Sequence, residues 1–274
     1  MAAKLARREE IVRASRRSVD ALSFVRWLMP AARTGDTEAQ KAIADQLRSC
    51  YWVEHQEIRG KTWRQLLQNP NWSPSHRAEI EQQLTKCEPL NAASEDEVGS
   101  YGEWMQQAVA GGDGSAILEQ SRVGEDRSVE DQVADFHRAV ATGDPAVLRA
   151  IVASYAYESD GFSWGSKHSE DTLAQMQLLN ASIDLAECRL GADCSTQAVQ
   201  ENCGASWSQY DCSYADNLRS YYELHLSRQD FARADGYAQT LADEFLSGEY
   251  QWPEATAYEN LLRSQSKGEQ TSGQ

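Results

Sequence analysis

The chain has 274 residues, enough to bury a sizeable hydrophobic core in one large domain or two smaller ones. Hydrophobic residues make up 41% of it and aromatic residues 9%, a composition that excludes a largely disordered chain. Acidic residues number 42 against 26 lysines and arginines, and the formal net charge of −16 argues against nucleic-acid binding, because such a surface repels phosphates.

Positive charge gathers at the start of the chain, in Lys4, Arg7, Arg8, Arg13, Arg16 and Arg17. We interpret these residues as the solvated face of an amphipathic helix; the alternative is contact with an acidic partner or a membrane surface. No apolar run reaches about 18 residues, so we predict no membrane-spanning helix. The first residues show no apolar signal-peptide core, which is also the expectation if a signal peptide has been removed.

Apolar residues recur at helical spacing along most of the chain, and sustained strand-like alternation is absent from the sequence. The predicted helices cover residues 5–32 (broken or kinked at Pro30), 39–52, 75–87, 172–190, 214–227 and 230–247. Between them, residues 88–99 and 158–170 are polar and turn-like, and 188–214 is irregular. We therefore predict an all-α fold with helical regions 1–92 and 93–264 and a disordered tail, 265–274.

Three corners share an alanine-rich helix end, a Gly-Asp step and a new helix, at residues 31–39, 108–118 and 139–148, with a weaker echo at 185–193. Glycine suits a left-handed helix cap, and aspartate can cap the helix that follows. Several such hairpins side by side would form an irregular, solenoid-like array. The corners at 31–39 and 139–148 resemble those of Sel1-like and tetratricopeptide repeats, although the full repeat consensus is absent. The resemblance implies a helical-hairpin scaffold that binds other proteins.

The six cysteines are even in number, and four of them lie in one short stretch, which is typical of disulfides. Six cysteines allow 15 connectivities. We predict pairing between nearest neighbours: Cys50 with Cys87, Cys188 with Cys194, and Cys203 with Cys212. Disulfides favour a periplasmic or secreted location, and the alternative is six reduced cysteines in a cytosolic protein. The chain also resembles bacterial extracytoplasmic proteins that are rich in helices and stapled by cysteines.

Signals for chemistry are weak in this sequence. Gly161-Phe162-Ser163-Trp164-Gly165 matches the G-x-S-x-G elbow of hydrolases, but the βα repeats and oxyanion-hole glycines of that fold are missing, so we favour a glycine-rich loop. Glu54 and Glu57 around His55 form a candidate carboxylate pair, with a solvated helix face as the favoured alternative. The four late cysteines and His225 lack the close spacing of zinc sites. We therefore predict no metal, no cofactor and no catalytic residue.

These observations favour a protein-binding protein of the bacterial envelope or periplasm, such as an inhibitor, an immunity protein or an assembly factor. The acidic surface predicts that the partner is another protein, possibly a basic one. The candidate binding residues are Trp52, Trp63, Trp72 and Trp104, and for each the alternative is packing in the core. The second hypothesis is a helical hydrolase acting on cell-wall glycan or an ester through Ser163 or Glu54. A third is a protein that polymerises or stabilises another subunit.

Overall fold

A computed structural model describes residues 2–55, 57–58, 61–68, 74–122, 128–151, 170–192, 194–195, 215–249, 259–260 and 263. The fold of these residues is all-α, as predicted, with one short hairpin of two strands. They pack as two compact units: an N-terminal unit, Arg7–Ala116, and a C-terminal unit that starts at Ile117 and includes the first residues up to Ala6. No helix within the described ranges is long and apolar enough to cross a membrane.

The N-terminal unit consists of helices joined by short corners and one hairpin. In chain order its elements are α1 (Ala2–Arg17), α2 (Ala21–Arg33), α3 (Thr37–His55), β1 (Glu57–Ile58), β2 (Lys61–Thr62), α4 (Trp63–Leu66), α5 (Pro74–Ala92), α6 (Glu95–Val98), α7 (Tyr101–Ala110) and the first turn of α8 (Gly114–Arg122). The two strands are antiparallel, with Glu57 opposite Thr62. Helices α1 and α8 each continue from one unit into the other along the chain.

Helix α3 is the centre of the N-terminal unit, because α2, α5 and α7 all pack against it. Val25, Leu28 and Ile43 are fully buried in this core, and α7 adds Trp104 and Met105. The unit extends to Ala116, beyond the division after residue 92 that the sequence suggested, since the apolar face of α7 covers α3.

Two local predictions in this unit are wrong. The helix predicted over 5–32 is two helices, because the Asp20 side chain accepts a hydrogen bond from the backbone of Ser23 at 2.7 Å and caps α2. Helix α2 continues through Pro30 to Arg33, so the chain does not break there. Much of 88–99, predicted to be turn-like, is helical in α5 and α6.

The three Gly-Asp corners share one geometry. Glycine adopts a left-handed backbone at each, with φ of 97° at Gly35, 85° at Gly112 and 62° at Gly143. The next residue caps the following helix through its Oδ1 atom: Asp36 accepts from the amide of Ala39, Asp113 from Ala116 and Asp144 from Ala146. The caps expected from the sequence are therefore present, while a solenoid-like stacking of the hairpins stays a prediction.

The C-terminal unit contains the remaining helices. These are α9 (Val129–Val140), α10 (described over 145–151), α11 (Glu170–Arg189), α12 (Leu218–His225) and α13 (Arg228–Ser247). Helices α11 and α13 pack along each other, with Ile183 and Leu241 buried. The helices predicted over 172–190, 214–227 and 230–247 are confirmed with shifted ends. The predicted tail, 265–274, lies outside the described residues.

Candidate interaction surface

Two consecutive aromatic residues near the end of α3 expose their side chains to solvent. Tyr51 is 58% exposed and Trp52 is 52% exposed. The ring of His55 stacks on that of Tyr51, with centroids 4.3 Å apart, and its Nδ1 atom donates to the Tyr51 carbonyl oxygen at 2.9 Å. Because large exposed aromatic side chains are uncommon on a surface without function, we take Tyr51 and Trp52, the aromatic pair, as the candidate site.

A disulfide fixes the backbone directly before the aromatic pair. Cys50 on α3 bonds to Cys87 on α5, with their Cα atoms 5.1 Å apart, and both cysteines are buried. The Asn91 side chain donates to the Cys50 carbonyl oxygen at 3.2 Å, which adds a second link between the same two helices. The end of α3 is thus held covalently, so the aromatic pair projects from a rigid support.

An ion pair continues this support beyond the aromatic pair. The guanidinium of Arg64 on α4 donates to both carboxylate oxygens of Glu54, each at 3.1 Å. The hydrogen bond and charge of Glu54 raise the pKa of Arg64 above its ordinary value. Glu54, a candidate catalytic carboxylate in the sequence, therefore pairs with an arginine, and the side chain of its companion Glu57 lies outside the described residues.

The four predicted tryptophans fall in different places. Trp52 is exposed in the aromatic pair, Trp63 is half-buried, and Trp72 lies outside the described residues. Trp104 is only 5% exposed, and its indole N–H donates to the Val98 carbonyl oxygen at 2.7 Å. Core packing, the alternative for each of these residues, therefore holds for Trp104.

The N-terminal cations are not simply a solvated face. In the N-terminal unit Arg7 pairs with Asp36 at 2.7 Å, and Arg8 donates to both oxygens of Glu38 at 2.6 and 3.0 Å. In the C-terminal unit Lys4 pairs with the buried carboxylate of Asp144 at 2.6 Å. Three of the six basic residues therefore bind carboxylates of this same chain.

Buried carboxylates also meet within the N-terminal unit. Oxygens of Glu38 and Asp113 lie within 4.8 Å of each other. Arg8 holds Glu38, and Asp113 receives hydrogen bonds on its Oδ1 atom from the Ser115 hydroxyl and the Ala116 amide. The start of α3 and the start of α8 also place partial positive charge beside the two carboxylates. The two carboxylates therefore lie where the starts of two capped helices meet, and the Oδ2 atom of Asp113 is buried without a hydrogen-bond partner among the described residues.

A polar network surrounds the buried carboxylate of Asp184 in the C-terminal unit. Arg149 on α10 donates to Asp184 at 2.6 Å and to Glu187 at 2.8 Å, and the Tyr222 hydroxyl donates to the other oxygen of Asp184. Burial lowers the pKa of Arg149, but the charges of Asp184 and Glu187 raise it more. Burial, followed by the charge of Asp184, raises the pKa of Tyr222. Since its donors and acceptors satisfy each other, the network joins α10, α11 and α12.

The cysteine predictions are confirmed as far as the described residues reach. Cys188 and Cys194 form the second disulfide, while Cys203 and Cys212 lie outside the described residues. Because Cys188 and Cys194 are bonded to each other, neither sulfur is a thiolate that could bind zinc. The Nδ1 atom of His225 donates to the Tyr221 carbonyl oxygen. Ser163 and its glycine-rich motif also lie outside the described residues.

No protein family matches this sequence, and comparisons with curated proteins and with solved structures found no similar protein.

Proposed function

We propose that the chain is a protein-binding protein and that the aromatic pair is the centre of its binding surface. The observation that carries the proposal is the pair itself, two adjacent side chains that are each more than half exposed. Tyrosine and tryptophan dominate the energetic centres of protein interfaces, because their rings bury a large apolar area and lose little conformational entropy.

The rigid support strengthens this proposal. A helix end held by the Cys50–Cys87 disulfide and by the Glu54–Arg64 ion pair has little freedom left to lose on binding. We therefore expect truncation of Trp52 to weaken partner binding at least about thirtyfold, the effect of losing a central interface residue. We expect an inhibitor, an immunity protein or an assembly factor built as a solenoid-like scaffold.

The disulfides support a location outside the cytosol. Two bonds, Cys50–Cys87 and Cys188–Cys194, are compatible with an oxidising compartment, since thiol reductants keep most cytosolic cysteines reduced. We propose that the protein works in the periplasm or after secretion.

The test is photocrosslinking from the surface itself. A photoreactive phenylalanine analogue replaces Trp52 in one version of the protein and Leu246, which is 70% exposed on α13, in the control. Each version is irradiated in native extract of the source organism. We expect one discrete adduct from position 52 and none from position 246. Adducts from position 246 alone, or diffuse adducts of equal intensity from both positions, would refute the aromatic pair as the binding surface.

A further inference from the structure

A segment that begins beside the aromatic pair carries only negative charges. Residues 87–121 contain seven Asp and Glu residues and no Lys or Arg. Glu88, Glu95 and Asp96, which we call the acidic edge, are all exposed, and they lie at the end of α5 and in α6.

The Cys50–Cys87 disulfide places the start of the acidic edge beside the aromatic pair. Tyr51 directly follows Cys50, Glu88 directly follows Cys87, and the two cysteine Cα atoms are 5.1 Å apart. Since consecutive Cα atoms are about 3.8 Å apart, the Cα atoms of Tyr51 and Glu88 are separated by at most about 13 Å. The charge of Glu88 also contributes to the raised pKa of Arg64, which binds Glu54 one turn from Tyr51. One extended basic segment can therefore span both features.

The negative charge of the edge is not cancelled locally. Glu95 and Asp96 form no ion pair with any residue in the described ranges, whereas their neighbour Glu97 pairs with Arg26. Two nearby arginines already have acidic partners, since Arg48 on α3 pairs with Asp45 and Arg64 on α4 pairs with Glu54.

Resting on the proposed function, we propose that the aromatic pair and the acidic edge together bind a basic segment of the partner protein. An arginine guanidinium stacks on the exposed ring of Trp52, and further Lys or Arg side chains face Glu88, Glu95 and Asp96. Guanidinium groups stack on aromatic faces more readily than ammonium groups do, so the segment is richer in arginine than in lysine.

The test uses fluorescein-labelled hexa-arginine and hexalysine peptides, with binding followed by fluorescence anisotropy at low salt. The edge variant is Glu88→Gln/Glu95→Gln/Asp96→Asn. Its matched control is Glu130→Gln/Glu223→Gln/Glu249→Gln, which removes the same charge from exposed positions of the C-terminal unit. We expect the edge variant to bind hexa-arginine about tenfold more weakly than the unchanged protein, and the control less than about twofold. We also expect Trp52→Ala to abolish the preference for arginine over lysine.

Equal losses in the edge and control variants would overturn the inference, because the peptides would then respond only to net charge. An unchanged arginine preference in Trp52→Ala would overturn it as well, since stacking would play no part. If position 52 crosslinks a partner while the edge variant behaves like its control, this inference fails and the proposed function stands. If the edge effect appears but position 52 crosslinks nothing, the proposed function fails on its own.

Discussion

Removing the Cys50–Cys87 disulfide should lower the free energy of unfolding of the N-terminal unit by about 4 kcal/mol. The variant is Cys50→Ala/Cys87→Ala, which deletes the bond without leaving a reactive thiol. The estimate comes from the entropy that the unfolded chain regains when a loop opens, and the two cysteines are 37 residues apart.

The second disulfide provides a matched control. Cys188 and Cys194 are separated by only six residues, so the same relation gives about 2 kcal/mol for Cys188→Ala/Cys194→Ala. The long loop should therefore contribute roughly twice as much as the short one. Both pairs of substitutions remove two sulfurs, but Cys50 and Cys87 are buried whereas Cys188 and Cys194 are only partly buried, so lost packing adds to the effect of the long loop.

Urea unfolding followed by circular dichroism measures both effects, because both units are helical. Tryptophan fluorescence adds a probe of the N-terminal core, where the ring of Trp104 is buried. The same titration with a thiol reductant should bring the unchanged protein close to the variants. A loss under about 1 kcal/mol for Cys50→Ala/Cys87→Ala, or a larger loss for the short loop, would refute the reasoning from chain entropy. Partner binding, measured on the folded variants, should weaken for Cys50→Ala/Cys87→Ala alone.

Four further substitutions test the packing and the polar contacts. Trp104→Ala should lower the free energy of unfolding by about 3–5 kcal/mol in urea titrations, whereas Trp52→Ala should change it by less than about 0.5 kcal/mol. Equal effects would contradict the assignment of one to the core and the other to the surface. Tyr222→Phe removes a buried donor from Asp184 and should cost about 1–3 kcal/mol in the same assay; a neutral result would mean that Arg149 satisfies that carboxylate without help. Hydrogen bonds from Arg219 and then Arg189 lower the pKa of Asp235, so its contribution to stability is present above about pH 4 and lost as the pH falls below that value. Urea midpoints at pH 7 and pH 3 should therefore differ less for Asp235→Asn than for the unchanged protein.

Local patterns predicted much of the fold. Helical spacing gave the all-α class, and the Gly35 and Asp36 corner could be assigned because a left-handed glycine and a capping aspartate are both encoded within a few residues. The pairing of Cys50 with Cys87 followed from the assumption that nearest neighbours pair. The break at Asp20 was missed because apolar residues continue on both sides of it at nearly helical spacing.

Contacts between distant residues left little trace in the sequence. Trp52 and Trp104 are the same residue type, and only the packing of α7 on α3 separates an exposed ring from a buried one. The network of Arg149, Asp184 and Tyr222 joins residues that are at least 35 positions apart, so no local sequence motif predicts it. One signal was available, since Asp184 is a single acid within the buried stretch from Ala181 to Ala186.

The Cys50–Cys87 bond also sets an order of events during synthesis. Cys50 leaves the ribosome 37 residues ahead of Cys87, and the helix end that carries Tyr51 and Trp52 has no covalent anchor until the second cysteine has emerged and been oxidised. A newly made chain that meets no oxidant can still form α3, but it presents the two rings on a looser support. Maturation of this surface is therefore tied to the compartment in which the chain completes its folding.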